Sequence, residues 1–120
     1  MSLALVEGIT PTRRFEPRPR QGQPGAFDVH VPPELTYFEG HFDGHAILAG
    51  IVQLEILIAR QISAIWPELT RIRRVTRLRF RVPIHPGDDI VLELDRPKPA
   101  RVDFAIRRGS TACSSGTLHF

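Results

Sequence analysis

A chain of 120 residues, 42% hydrophobic and 24% charged, is long enough for one core and too short for two ordinary domains, and its composition excludes disordered, collagen-like and coiled-coil classes. The net charge is +3, with fifteen arginines and the single lysine Lys98 supplying the cations; such an excess favours acidic partners without selecting one. The lone Cys113 cannot form an intramolecular disulfide, no apolar run is long enough to span a membrane, and the amino end lacks a basic lead into an apolar stretch, so the expected setting is the reducing cytoplasm.

Residues 10–25 are dense in Pro, Arg and Gly and read as a surface loop. From Ala26 to Pro32 the chain alternates, with Phe27, Val29 and Val31 on one side and Asp28 and His30 on the other, the period of a half-buried strand. From Ala49 to about Ile65 the apolar positions Ile51, Leu54, Ile58, Ile62 and Ile65 recur every three or four residues, which predicts a buried helix of about four turns ended by Pro67. Beyond Pro67 the pattern is strand and turn. Leu78, Phe80 and Val82 alternate with arginines, His85 to Asp89 (HPGDD) is a turn, and Ile90, Leu92 and Leu94 share a face. The RPKP of residues 96–99 breaks the chain, Val102, Phe104 and Ile106 repeat the alternation, and a last strand ends near Phe120.

One helix among strands with no second crossover predicts an α+β fold: a single domain over residues 1–120 whose largely antiparallel sheet curls around the helix. A lone helix leaves part of such a sheet uncovered, so self-association is expected. Glu55 lies on the helical row Ile51, Glu55, Ile58, Ile62, inside the apolar stripe. An unpaired carboxylate there loses its hydration or takes up a proton, so it needs a partner or a use. Two readings stay open, a structural ion pair with an arginine and a general acid.

Gly50 opens the helix, and Gly40 and Gly44 flank His41 in the preceding loop; ordinary turn chemistry competes there with a backbone site for developing negative charge. His41, Asp43 and His45 sit in a glycine-containing loop rather than on one helix face, and no metal site is expected from them. Cys113 lies in a serine-rich terminal strand without a nucleophile motif.

The segment GHFDGHAILAGIVQLE, residues 40–55, resembles the signature of the 3-hydroxyacyl-(acyl-carrier-protein) dehydratases: a GHF, a run of small and apolar residues, a glycine at the helix start, and an acid fourteen positions after the histidine, as Glu55 is from His41. A second block, residues 78–94, is similar to the family's strand, PxxPGD turn and following strand, with Pro83, Pro86, Gly87 and Asp88 in the matching places. The QL before the acid and the short length resemble the dehydratase-like proteins of aryl polyene and related pigment clusters. Asp43, Ala46 and Ala49 stand where the family usually has prolines that stiffen the loop.

The resemblance implies a hotdog fold, in which a long helix is wrapped by a curved antiparallel sheet, and a homodimer or higher homo-oligomer. It implies dehydration of (3R)-hydroxyacyl thioesters to trans-2-enoyl thioesters in fatty acid, polyketide or aryl polyene biosynthesis. The substrate is carried on the phosphopantetheine of an acyl carrier protein or of CoA, with no metal or redox cofactor. By the same resemblance His41 and Glu55 would be the catalytic pair, and Gly50, Phe42 and Ile51 would contact the substrate, with the Gly50 N–H facing the thioester oxygen. Arg77, Arg79 and Arg81 are either a solvated strand face or a docking surface for the acidic carrier. Rival readings are a hotdog thioesterase, whose usual pattern of an Asp followed by Gly and His in a YxxxD context is not found, and a catalytically silent acyl-binding or partner subunit. Nucleic-acid binding lacks a reader motif, and no membrane span is expected.

Overall fold

The computed structural model describes residues 15–33 and 48–120. Six strands form one antiparallel sheet in the order β1-β2-β4-β5-β6-β3, where β1 is Arg18–Pro19, β2 Ala26–His30, β3 Arg74–Phe80, β4 Asp89–Lys98, β5 Arg101–Arg108 and β6 Thr111–His119. Between β2 and β3 the chain winds as α1 (Gly50–Val52), a π-helical stretch (Gln53–Ile58) and α2 (Ala59–Ile65). This is the α+β hotdog architecture.

The alternation seen in the sequence sorts side chains to the two faces of the sheet. Phe27, Val29, Val31, Ile90, Leu92, Leu94, Val102, Phe104, Ile106 and Leu118 turn inward and meet Leu57, Ile58 and Ile62 of the helix in one core. On the outer face the cross-strand partner of Asp103 is Thr117, whose hydroxyl donates to the Asp103 carboxylate at 2.9 Å. The helix returns the chain from β2, beside β4, to the far edge of the sheet, so among the described residues β3 pairs only with β6 and its other edge is open. The HPGDD turn forms as its residues demand. Gly87 takes φ 85°, the His85 N–H donates to the Asp88 carboxylate at 2.8 Å, and the Asp88 N–H returns to the His85 carbonyl at 3.1 Å.

The structure corrects several expectations. The loop expected over residues 10–25 contains β1, with Arg18 opposite Asp28 and Pro19 opposite Phe27. RPKP does not break β4. The strand runs to Lys98 because Pro97 falls within a register shift between Asp95 and Lys98, beyond the last residue paired with β2, where no ladder N–H is required of it. The strand read from the alternation of Leu78, Phe80 and Val82 starts earlier, at Arg74, and ends at Phe80, short of Val82; it bulges between Thr76 and Arg79 with Arg77 at φ 56°. That extra residue resets the alternation: Val75 lies opposite Leu118 before the bulge and Phe80 opposite Ser114 after it, both on the inner face.

The far end of the helix is tied down by Arg96. Its guanidinium lies 5.5 Å from the Trp66 ring centroid, donates to Glu68 at 2.6 Å and to the Pro99 carbonyl at 2.7 Å. One β4 side chain thus joins the post-helix turn to the β4–β5 hairpin. No helix among the described residues is long and apolar enough to cross a membrane.

Candidate active site

The helix start is built by backbone bonds on one side and by an aromatic ring on the other. The Leu48 N–H donates to the Ile84 carbonyl at 2.7 Å, Ala49 is extended (φ −61°, ψ 148°), and the helical ladder begins with the Gln53 N–H donating to the Ala49 carbonyl at 3.0 Å. The N–H groups of Gly50, Ile51 and Val52 precede that first rung and have no acceptor within the helix, which leaves partial positive charge at this corner. The missing side chain of Gly50 makes room for a neighbouring ring and serves no special backbone conformation. A Cβ placed on it would stand 2.6 Å from Cζ of Phe80, whose ring lies across the helix start.

Glu55 falls in the π-helical stretch and is half-buried. Among the described residues it makes no ion pair and no side-chain hydrogen bond, so the arginine pairing weighed from the sequence is not found there. The expected row of Ile51, Glu55, Ile58 and Ile62 does not form one buried stripe. Ile58 and Ile62 are fully enclosed, whereas Ile51 is 61% exposed. The wider π turns, with i→i+5 bonds, rotate successive side chains by less than an α-helix does, and this carries Ile51 and Glu55 toward the rim of the buried face. Next to them Phe80 is 48% and Leu78 40% exposed, so Ile51, Leu78 and Phe80 put large apolar surface in solvent beside the helix start and along the open edge of β3.

Of the residues singled out in the sequence, Gly50, Ile51 and Glu55 are brought together on the first turns of the helix. His41 and Phe42 lie outside the described residues, as do Asp43, His45 and Ala46. Cys113 is fully buried, which withdraws it as a nucleophile toward solvent. Missed in the sequence was the role of Gln53. It is only 4% exposed, its Nε2 donates to the Leu48 carbonyl at 2.9 Å, and its Oε1 accepts from the Ser114 hydroxyl at 2.8 Å. The only signal for it was a polar residue at a position where the helix otherwise places apolar ones.

Charge is concentrated just beyond the helix. Arg71, Arg73, Arg74, Arg77, Arg79 and Arg81 are all exposed, and none of them is ion-paired among the described residues. Arg77 and Arg79 share a shallow groove with Ser115 and Thr117 on the outer face of the sheet. Two carboxylates are held below their usual range: Glu68 by its hydrogen bond from Arg96, and Asp103 chiefly by Arg101, with help from Thr117 and Arg77. Both lie on structural ties rather than at the helix start.

The family model described as ApeI-like, ApeI dehydratase, matches residues 18–117, which include the helix, its glycine and its acid. The chain belongs to this family. Curated relatives are the 3-hydroxyacyl-(acyl-carrier-protein) dehydratases FabZ of Thermus thermophilus, 34% identical over 64 residues (48% of this chain and 45% of the relative), and of Myxococcus xanthus, 39% identical over 67 residues (49% and 44%). The chain thus spans about half the length of the curated relatives it matches. Among solved structures, the dehydratase heterocomplex ApeI:P from Xenorhabdus doucetiae is similar with a TM-score of 0.69 at 18% identity, covering 89% of this chain and 97% of the other. An uncharacterised Erwinia carotovora protein is similar with a TM-score of 0.65 at 22% identity, covering 89% of both chains. At these identities the structural likeness establishes the hotdog fold of this ApeI-like chain and nothing finer.

Proposed function

We propose that this ApeI-like protein removes water from a (3R)-hydroxyacyl thioester carried on the phosphopantetheine arm of an acyl carrier protein in the cytoplasm, giving the trans-2-enoyl thioester. The observation that carries this reading is the placement of Glu55, an acid half-buried on the first turns of a helix whose starting N–H groups are unclaimed by its own ladder. Family membership and the fourteen-residue spacing from His41 support it.

In this reading His41 takes the proton from C2 while the C2–C3 double bond forms and the C3–O bond breaks. Glu55 gives its proton to the departing hydroxyl, which leaves as water. Negative charge that moves onto the thioester oxygen during proton removal is met by the Gly50 N–H at the positive end of the helix. The elimination changes no overall oxidation state, so a redox cofactor is not required, and we assign no metal. Phe42 and Ile51 would contact the acyl chain.

Two copies would join along the open edge of β3. This would cover Leu78, Phe80 and Ile51, enclose the Glu55 carboxyl, and bring His41 of one copy to Glu55 of the other. The test is incubation with a 3-hydroxyacyl thioester of the carrier protein: enoyl absorbance should appear without free thiol. Glu55→Gln should cut turnover by at least ~10²-fold, the usual scale for loss of a general acid. Release of thiol instead would identify a hydrolase, and full turnover in Glu55→Gln would remove the acid from the mechanism.

A further inference from the structure

The helix start holds a buried amide that the proposed chemistry does not use. Gln53 lies three residues after Gly50 and two before Glu55, and its side chain spans two elements. Nε2 donates to the Leu48 carbonyl at 2.9 Å, and Oε1 accepts from Ser114 on β6 at 2.8 Å. Gln53 and Ser114 are both about 4% exposed, so each group depends on the other for its hydrogen bonds. Leu48 is thereby gripped at both ends, its N–H on the Ile84 carbonyl and its own carbonyl on Gln53. Only Ala49 separates it from Gly50. Ser114 in turn lies opposite Phe80, the residue whose ring covers Gly50. An apolar residue at 53 would fill this space with no such reach, and a helix held only by apolar contacts such as those of Leu57, Ile58 and Ile62 could slide or turn on the sheet.

We infer that Gln53 is a positioning residue: the Ser114–Gln53–Leu48 chain fixes the Leu48–Gly50 segment on β6, and so sets the direction of the N–H groups at the helix start and the exit of the preceding loop. This rests on the dehydratase reading for its kinetic consequence but not for its structural one. Gln53→Met keeps the volume and removes both bonds. Ser114→Ala removes only the bond that orients the amide, and leaves the fold intact if the first variant does not.

In the full-length protein, hydrogen exchange of the backbone amides at positions 48 and 53, which are bonded to the Ile84 and Ala49 carbonyls, should be faster in Gln53→Met and, by a smaller factor, in Ser114→Ala. With a 3-hydroxyacyl carrier thioester, kcat per folded molecule should fall about tenfold in Gln53→Met and about threefold in Ser114→Ala with KM within twofold, since misaimed donors affect the transition state more than binding. The double variant should be no worse than Gln53→Met alone, because both changes break one chain. Unchanged exchange of the amides at positions 48 and 53, or losses that simply multiply in the double variant, would overturn the proposal. Faster exchange in a protein whose wild type forms no enoyl product would uphold the positioning and sink only the assigned reaction.

Discussion

Two glycines with nearly the same steric problem should respond differently to a methyl group. At Gly116 a Cβ would meet Cε2 of Phe104 at 2.7 Å and Cδ1 of Leu78 at 3.2 Å, and Phe104 is a core ring with no room to move. Gly116→Ala should therefore cost about 1–3 kcal/mol by overpacking, read by chemical denaturation. At Gly50 the obstructing Phe80 ring is half exposed and can swing away. The roughly 1 kcal/mol that alanine gains over glycine inside a helix should then offset most of the strain, so Gly50→Ala should unfold within about 1 kcal/mol of wild type. Its turnover should nonetheless drop, and truncating the ring as well, in Gly50→Ala/Phe80→Ala, should not add to the loss. Titration offers a second residue-level check. Asp103 is held below the ordinary aspartate range by Arg101, so the folded state binds its proton less readily than the unfolded chain. Its contribution is complete above about pH 4 and disappears as the pH falls through the lowered value. Asp103→Asn should therefore flatten the acid limb of the stability curve while leaving its shape above neutrality unchanged.

At the scale of elements, the edge strand β3 carries the clearest departure from regular geometry. Arg77 occupies the left-handed region at φ 56° inside a bulge, a conformation that costs an L-residue roughly 1–2 kcal/mol and glycine little. Arg77→Gly should be neutral or stabilise by up to about 1 kcal/mol, whereas Arg77→Val should destabilise, because a β-branched side chain tolerates that region least. Urea midpoints of the two variants should fall on opposite sides of each other's error, with Arg77→Val the lower. This strand also shows where sequence patterning stops. The alternation of Leu78 and Phe80 with arginines was legible because the bulge adds its extra residue at Arg77, before Leu78, and leaves the period from Leu78 onward intact, and β2, β5 and the HPGDD turn were legible because nothing interrupts their patterns. The bulge itself leaves no compositional mark, since the residue in the left-handed position is an arginine rather than a glycine. The helix divides in the same way. Its extent, its opening at Gly50 and the anomaly of Glu55 could be read from residue types and spacing, while its π winding could not, because a 3.6-residue period was assumed throughout. That one assumption placed Ile51 in the core and hid the reason for Gln53, whose partners Leu48 and Ser114 are set by tertiary packing.

The whole molecule raises the question of what covers the open side. Among the described residues of a single copy the β3 edge is unpaired, and Ile51, Leu78 and Phe80 are exposed near the helix start that carries the half-buried Glu55; an edge with apolar flanks is a surface for strand pairing. Pairing of two β3 edges is also what the proposed mechanism needs, because it allows His41 of one copy to serve Glu55 of the other. These two claims can be tested together and without a structure of the assembly. Phe80→Glu should shift the protein to monomer in sedimentation, with the helix and sheet signals retained in circular dichroism, and should lose turnover with it. The sharper test mixes two inactive variants, His41→Ala and Glu55→Gln, under conditions where subunits exchange. With random pairing half of the dimers are mixed, and each mixed dimer rebuilds one intact site of two, so activity should recover to about a quarter of wild type if the sites are shared between copies. Were histidine and acid to come from the same chain, every site in the mixture would remain broken and no activity would return. A recovery near one quarter that disappears when Phe80→Glu is added to either variant would tie the shared site to the β3 edge, since only the loss of that pairing removes it.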